Sequence, residues 1–367
     1  MSTLMDYVEL RGDLTMLQSP FNEVDYSAFA LLSYIDFAPV VTMNSEAKTI
    51  REVYQQLKIN DPQLDFKNQY LALLEAMAYT NRYGNILVKK YFSETSEELI
   101  QQFAAVTFIL EDGRVIVSFR GTDHTLIGWK ENFTMLYQET IASEEKVVEY
   151  MNEISYEYDL KSIMKDPFYG RNIIERFNKY RAVSKQLPIT FVGHSKGGHL
   201  AIYAGTIFQK EVYNFDGPGM NILLDDYEKN KDQVHSFVPG YSLFGRFFEH
   251  KEKLQVVNSE NSTYKEHAVF SWSVGIHGFK EGVVQEESLK ALQNVFEFLD
   301  GLSKEEKKEF VEAMFKVFDE LGVKTIDDVR RINYHRVFSG IDVLIRMDSK
   351  TRNNMIEMIT ILINEFK

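Results

Sequence analysis

The feature that most constrains this 367-residue chain is a glycine-flanked serine turn at 193–197, Gly-His-Ser-Lys-Gly. The apolar, β-branched run at 189–192 before it is typical of a buried parallel strand, and 199–204 is typical of the start of a helix. A serine at such a strand-to-helix turn has strained backbone geometry, and flanking glycines let the two elements pass without collision. The pattern therefore predicts that Ser195 is presented at the carboxyl end of a strand.

The same turn places hydrogen-bond donors beside the serine hydroxyl. The N–H of Lys196 and the positive end of the following helix would face an oxyanion that develops during acyl transfer. The bare G-x-S-x-G pattern is weak, but the strand before it, the helix after it and the second glycine at Gly198 strengthen it. We interpret Ser195 as the nucleophile of an acyl-transfer site.

Charge and composition narrow the class of partner. The net charge of −13 disfavours nucleic acid and stable anchoring to anionic membranes, because phosphates would be repelled. The absence of cysteine excludes disulfides, thiolate catalysis and cysteine-ligated zinc, and it is compatible with the reducing cytoplasm that we predict. The amino terminus lacks a basic segment leading into an apolar run, so no secretory signal is expected. Without a metal-ligand motif or a P-loop, no metal or cofactor is expected.

Hydrophobic periodicity predicts an α/β chain in which strands and helices alternate. The segment 83–91 remains open between a strand and a loop. Strands are predicted at 103–110, 114–119, 189–192, 211–215, 234–238 and 254–259. Helices are predicted at 22–37, 48–57, 69–81 and from 199 onward, with two more within 139–185.

The character of the chain changes near residue 286. Hydrophobic periodicity predicts four helices in this part of the chain, and none of them carries evident chemistry. The predicted helices lie at 288–299, 304–321, 326–331 and 341–366. We therefore predict a main domain at 1–285 and a helical C-terminal appendage at 286–367, which would serve packing, a lid or dimerisation.

Several motifs together resemble a known group of enzymes. Phe-Arg-Gly-Thr-Asp at 119–123, paired with the later Gly-His-Ser-Lys-Gly-Gly, resembles the class 3 lipases. A closer resemblance is to the DUF2974 family, a bacterial branch of α/β-hydrolases, and it spans about residues 1 to 280. It implies an α/β-hydrolase fold, with a mostly parallel central sheet flanked by helices. The motifs that carry it lie at 21–25, 128–131, 214–219 and 267–272.

The resemblance implies that Thr122 donates the second backbone N–H of an oxyanion hole, beside that of Lys196. A loop at the carboxyl end of a neighbouring parallel strand would indeed lie next to the serine turn. The alternative is that Arg120 and Asp123 merely pin a surface turn by an ion pair.

The general base is predicted to be His267, which follows the last predicted strand and matches the family's histidine. The acid is harder to assign, because class 3 lipases carry an aspartate in the loop that here reads Pro-Gly-Tyr-Ser at 239–242. Asp216, one strand earlier, is our preferred acid, although an Asp before Gly-Pro-Gly is commonly a turn former. Glu266 is adjacent to the base and would usually point away, and a Ser-His dyad remains open.

Four apolar residues follow that loop: Leu243, Phe244, Phe247 and Phe248. Such a cluster at helical spacing is more often core than ligand site, yet its place beside the predicted site makes it a candidate acyl pocket or lid. The only two tryptophans, Trp129 and Trp272, would come near the same face if the resemblance holds.

These observations predict a serine hydrolase acting on small-molecule or lipid esters through an acyl-enzyme on Ser195. An acyltransferase or a thioesterase would use the same residues. A catalytically silent binding protein is the alternative from another class, and the missing loop acid favours it. Homo-oligomerisation is left open by the sequence.

Overall fold

The computed structural model describes residues 2–65, 67–123, 125–163, 188–320, 322–325, 328 and 349. Within these residues, eight strands form one sheet and lie side by side in chain order. The strands are β1 (Lys48–Thr49), β2 (Leu87–Ser96), β3 (Gln101–Ile109), β4 (Val115–Phe119), β5 (Ile189–His194), β6 (Glu211–Phe215), β7 (Val234–Pro239) and β8 (Leu254–Val257).

The sheet has an antiparallel half and a parallel half. β1 to β4 pair as antiparallel neighbours, whereas each pair from β4 to β8 is parallel. Phe119 at the end of β4 pairs with Gly193 in β5, and His194 pairs with Phe215 at the end of β6. The loops that follow these strands therefore emerge at one common edge of the sheet.

Helices cover both faces of the sheet. The helices are α1 (Leu4–Arg11), α2 (Glu23–Leu32), α3 (Ile50–Asn60), α4 (Gln69–Ala78), α5 (Leu126–Thr134), α6 (Ala142–Ile163), α7 (Lys196–Phe208), α8 (Leu224–Asn230), α9 (Glu286–Asp300) and α10 (Lys304–Glu320). Alternate residues of β3 face opposite layers, since Val106 and Phe108 join the core cluster beneath α1 to α4, and Phe103 and Ala105 join the cluster beneath α6 to α8. The architecture is the predicted α/β-hydrolase fold.

Most predicted elements are present, with shifted ends. The open segment 83–91 contributes to β2, which is hydrogen-bonded on both sides, and the predicted hairpin forms β3 and β4. Of the two helices predicted within 139–185, the first is α6, and residues 164–187 lie outside the described residues. The predicted helices at 326–331 and 341–366 also lie outside them, apart from single positions.

Helix α2 shows why periodicity misplaces a helix end. Its start is set by Asn22, whose side-chain oxygen accepts the backbone N–H of Val24 at 3.0 Å. It ends at Leu32, five residues before the predicted end at 37. Phe37 is nevertheless fully buried, and its ring contacts those of β2 and β3. Phe37 thus lies in the core although it belongs to an irregular segment, and its apolar side chain extends the hydrophobic periodicity beyond the end of the helix.

A buried ion pair fixes the N-terminal helices to one another. The Asp25 carboxylate of α2 accepts from Arg82 Nε at 2.6 Å and Arg82 Nη2 at 2.7 Å, and both side chains are fully buried. The hydroxyl of Tyr83 donates to the same carboxylate at 2.6 Å, and that of Tyr7 does so at 3.0 Å. Arg82 Nη1 also donates to the carbonyl oxygen of Ser19 at 2.7 Å. Removing one charge would strand the other in the core.

None of the helices in the described part of the chain has both the length and the apolarity to span a bilayer.

We predict that Asp25→Asn lowers the free energy of unfolding by about 3–5 kcal/mol, because it leaves the Arg82 guanidinium buried without a counter-charge. Urea denaturation followed by circular dichroism measures this loss. The matched control is Asp112→Asn, at an exposed pair in which Arg114 Nε lies 2.7 Å from Asp112 Oδ2. That change should cost about 1 kcal/mol or less, and equal losses in the two variants would contradict the assignment.

Candidate active site

Ser195 occupies the predicted strained turn between β5 and α7. Its backbone has φ 56° and ψ −131°, a conformation that L residues rarely adopt. The two flanking glycines are required by space, since a Cβ on Gly193 would lie 2.0 Å from the carbonyl oxygen of Gly197. A Cβ on Gly197 would lie 2.1 Å from the carbonyl oxygen of Phe119 in β4. The tightness of the turn therefore imposes the first glycine, and its packing against β4 imposes the second.

The predicted base and acid are in contact. His267 Nδ1 lies 2.6 Å from Asp216 Oδ2, and the other carboxylate oxygen accepts the hydroxyl of Ser242 at 2.5 Å. The Asp216 side chain is 1% exposed and that of His267 is 27% exposed, so a buried carboxylate supports a base that solvent can reach. Ser242 comes from the loop in which the lipase pattern would place an aspartate.

Glu266, the other carboxylate weighed for this role, faces different partners. One of its oxygens accepts the backbone N–H of Tyr241 at 3.0 Å, and the other accepts Gln285 Nε2 at 2.5 Å. Asp216 is thus the carboxylate that the fold brings to the histidine. Its position follows from the sheet, because Asp216 comes directly after β6 and its N–H donates to Phe237 in β7 at 2.8 Å.

His267 lies beside the serine turn. Its ring centroid is 4.5 Å from that of His194, the residue before Ser195, and 5.5 Å from that of Phe244. His194 Nε2 lies 3.0 Å from the carbonyl oxygen of His267, and His194 Nδ1 lies 2.8 Å from the hydroxyl of Tyr34. Because Nε2 faces an acceptor, it carries the proton, and Nδ1 accepts from the tyrosine.

The protonation state of His194 is that of a buried structural residue. Burial, together with the adjacent His267, holds the pKa of His194 well below its usual value. His199 is also buried, and its ring nitrogens lie 2.8 Å from the carbonyl oxygen of Gly219 and 3.0 Å from Glu144 Oε1. Tyr34, a residue of the first predicted helix segment at 22–37, contacts His194 at the serine turn.

The loop after β4 lies against the turn, as its strand pairing requires. A Cβ on Gly121 would lie 2.0 Å from the Tyr34 hydroxyl and 2.6 Å from the carbonyl oxygen of His194. Thr122 Oγ1 accepts Asn132 Nδ2 at 2.8 Å, which ties the loop to α5. The ion pair weighed as an alternative is also present, with Arg120 Nη2 3.7 Å from Asp123 Oδ2. The two interpretations are compatible.

The side chain of Lys196 is fully buried, although lysine is usually found at the surface. Its Nζ lies 2.7 Å from Glu131 Oε2 and 3.2 Å from Gln102 Oε1. Burial lowers the pKa of the Lys196 ammonium, and the Glu131 carboxylate opposes that shift. In the sequence, only the backbone of this residue was predicted to have a function. The signal in the sequence was the lysine itself, because a charged side chain within the buried serine turn needs a buried partner of opposite charge.

An apolar cleft adjoins the serine. Ser195, Lys196 and Trp129 line it together with apolar side chains from four segments of the chain. Its empty space is about 890 Å³, part of which is open to solvent. All four predicted pocket residues take part. The apolar lining residues of the four segments are Phe133, Met135, Leu136, Pro218, Leu243, Phe244, Phe247, Phe248, Leu292, Val295 and Leu299.

Helix α9 supplies a wall that sequence analysis did not assign to the site. Leu292, Val295 and Leu299 recur at helical spacing and face the cleft, and the ring of Phe296 lies 5.1 Å from that of Phe247. The C-terminal helical region therefore contributes to the cleft. Its apolar stripe was visible in the sequence, but its partner surface was not.

Trp272 does not lie where the resemblance placed it. It is fully buried in the core cluster beneath α1 to α4, packs against Phe215 and Phe279, and donates Nε1 to the carbonyl oxygen of Glu266 at 2.8 Å. Trp129 does line the cleft. The expectation that both tryptophans lie near one face is wrong, because the Trp272 indole is enclosed by aromatic side chains of the core and does not line the cleft.

The described residues contain no group of three or more histidine, aspartate or glutamate side chains placed to hold a metal ion.

The sheet order, the strained serine turn and the loops at one edge define an α/β-hydrolase fold. Residues 77–316 match the Mbeg1-like family, and the chain belongs to that family. No curated protein matches the chain.

Two solved structures of other proteins are similar to the chain at low identity. A mutant form of MDLA from Penicillium cyclopium is 14% identical, with 70% of this chain and 83% of that one covered and a TM-score of 0.37. M37 lipase is 15% identical, with 62% of this chain and 70% of that one covered and a TM-score of 0.32.

The state of His194 predicts a pH dependence of stability. Its low pKa in the folded protein means that, below the unfolded value of about 6.5, the unfolded chain binds a proton that the folded chain does not. Stability should therefore fall as the pH drops below about 6.5. Between pH 6 and pH 5, the wild type should lose up to about 1.4 kcal/mol per pH unit more than His194→Gln. Denaturant titrations at each pH measure this, and parallel curves would contradict it.

Proposed function

We propose that this protein is a serine hydrolase that cleaves carboxylic esters. The observation that carries the proposal is the 2.6 Å contact between His267 and the buried Asp216, beside a serine in strained backbone geometry. A nucleophile, a base and an orienting carboxylate in the chain order Ser, acid, His would be expected of an α/β-hydrolase. Here the acid lies one strand earlier than in the lipase pattern.

In this mechanism Ser195 Oγ attacks the ester carbonyl. Because His267 Nδ1 contacts Asp216, Nε2 is the nitrogen that would take the serine proton and return it to the leaving alcohol. The Asp216 carboxylate stabilises the imidazolium that forms. The Ser242 hydroxyl holds that carboxylate in place, and the hydrogen bond from the Asp216 N–H to β7 fixes its backbone. In the second half, His267 takes a proton from a water that attacks the acyl carbonyl, the bond to Ser195 Oγ breaks, and the proton returns to Oγ as the carboxylic acid leaves.

The tetrahedral intermediates need donors that are already in place. The N–H of Lys196 lies at the start of α7, where the helix dipole also favours negative charge. The N–H of Thr122 is the second proposed donor, since the loop after β4 packs against the serine turn.

The cleft supports an ester with an apolar acyl group. Phenylalanine, leucine and valine side chains line it around Ser195 and offer few polar partners to a headgroup. We therefore propose an acyl chain as the group that occupies the cleft, in a small-molecule or lipid ester. The sequence resemblance to the DUF2974 hydrolases points the same way, and it is the basis for proposing a bacterial protein. The proposal of a cytoplasmic protein rests on the absence of cysteine.

The contact between Asp216 and His267 also bears on the catalytically silent alternative. That alternative drew its support from the missing carboxylate at 239–242. A buried aspartate in contact with the histidine supplies the group that was missing from the loop.

A fluorophosphonate probe tests the nucleophile directly. We expect the purified wild type to be labelled and to hydrolyse p-nitrophenyl esters of graded chain length, because an activated serine reacts with both. Labelling should vanish in Ser195→Ala and persist in the control Ser262→Ala, which alters an exposed serine in the loop that leads to His267. Absence of labelling in a folded wild type would overturn the proposal, and the ester preferred among the series reports the depth of the cleft.

Paired carboxylate variants test the acid. Asp216→Asn should lower kcat by roughly 10³- to 10⁴-fold with little change in KM, because the amide no longer stabilises the imidazolium. Glu266→Gln is the matched control and should retain most of the activity, since its partners are Tyr241 and Gln285. Steady-state kinetics on the preferred ester measures both. Similar kcat values in the two variants would remove Asp216 from the mechanism.

A further inference from the structure

The Lys196 ammonium is a junction between three elements. In addition to Glu131 and the Gln102 side chain, Nζ donates to the backbone carbonyl oxygen of Gln102 at 2.5 Å. Its partners thus lie on α5 and on β3, while its own backbone belongs to the serine turn. This accounts for all three of its N–H donors.

One connection runs from Lys196 through Gln102 to the loop after β4. Gln102 Oε1, which accepts from Lys196 Nζ, also accepts the backbone N–H of Asp123 at 3.3 Å. Asp123 directly follows Thr122, the proposed second donor of the oxyanion hole. A single amide oxygen therefore holds both the lysine of the serine turn and the loop.

A second connection runs through α5. Glu131 Oε2 accepts from Lys196 Nζ at 2.7 Å, and the next residue, Asn132, donates Nδ2 to Thr122 Oγ1 at 2.8 Å. Glu131 is itself fixed, because its carboxylate also accepts the backbone N–H groups of Gln102 at 3.0 Å and Ser143 at 2.9 Å. Each end of this connection is thus held by a hydrogen bond.

Stability alone does not explain such a pair. Burying two charges is costly, and apolar side chains of similar volume often stabilise a protein equally well or better. What a hydrogen-bonded pair adds is direction, since it sets where its elements lie with respect to one another. Catalytic geometry is sensitive to this, because a displacement of about 1 Å can cost roughly 100-fold in rate.

We propose that the Lys196 side chain, Glu131 and Gln102 are positioning residues that hold the Thr122 N–H at a fixed distance from the Lys196 N–H. The two halves of the oxyanion hole come from separate loops, and this buried network joins them. The inference rests on the proposed function, since it gives the network a role in the same reaction.

Three variants separate positioning from stability: Lys196→Met, Glu131→Gln and the double variant. Each single variant leaves one buried charge unpaired and should lower the melting temperature, whereas the double variant removes both charges and should recover much of that loss. All three should show kcat lowered about 10- to 100-fold with KM within about twofold, because the hole acts on the transition state. Lys229→Met, at an exposed pair with Asp226, is the control and should match the wild type.

A second measurement does not depend on catalysis. Amide hydrogen exchange of a peptide covering 119–125 should be faster in all three variants and unchanged in Lys229→Met, because the loop loses its attachment. A stable double variant with wild-type kcat and wild-type exchange would overturn the inference. Faster exchange in a protein whose wild type hydrolyses no ester and binds no fluorophosphonate would support the positioning role and overturn the proposed function instead.

Discussion

The site depends on neighbouring strands that run in the same direction. β4, β5, β6 and β7 are parallel, so the residues that follow them emerge at one edge of the sheet. Thr122, Ser195 and Asp216 each lie one to three residues beyond the end of a strand. Backbone pairing thus brings together side chains that are far apart in the chain, and it does so without any contact between those side chains.

Close packing then imposes the residue types at that edge. Glycine is required at 193 and 197 because backbone atoms of the turn and of β4 occupy the space of a Cβ. The same closeness excludes water from the groups behind Ser195. His194, Lys196 and Asp216 are consequently buried, and each is satisfied by hydrogen bonds within the protein.

Lys196, the residue after the serine, has two proposed roles, one for its backbone and one for its side chain. The backbone of Lys196 belongs to the proposed oxyanion hole, and its side chain joins the turn to α5 and β3. The cleft also combines distant parts of the chain. Its walls come from α5, from the segment after β7 and from α9, and α5 and α9 lie more than 150 residues apart in the sequence. Helix α9 of the C-terminal region therefore forms part of the cleft wall.

The sequence by itself determined the local features: the strand-turn-helix around Ser195, the positions of most strands, and the histidine after the last of them. These follow from short-range rules, because glycine spacing and hydrophobic period are written in adjacent residues. Only the tertiary structure decided that Asp216 contacts His267, that Lys196 pairs with Glu131, that α9 lines the cleft, and that Trp272 lies behind β6. Each of these depends on which surfaces meet across the sheet, and a one-dimensional pattern specifies the face of an element without specifying its partner.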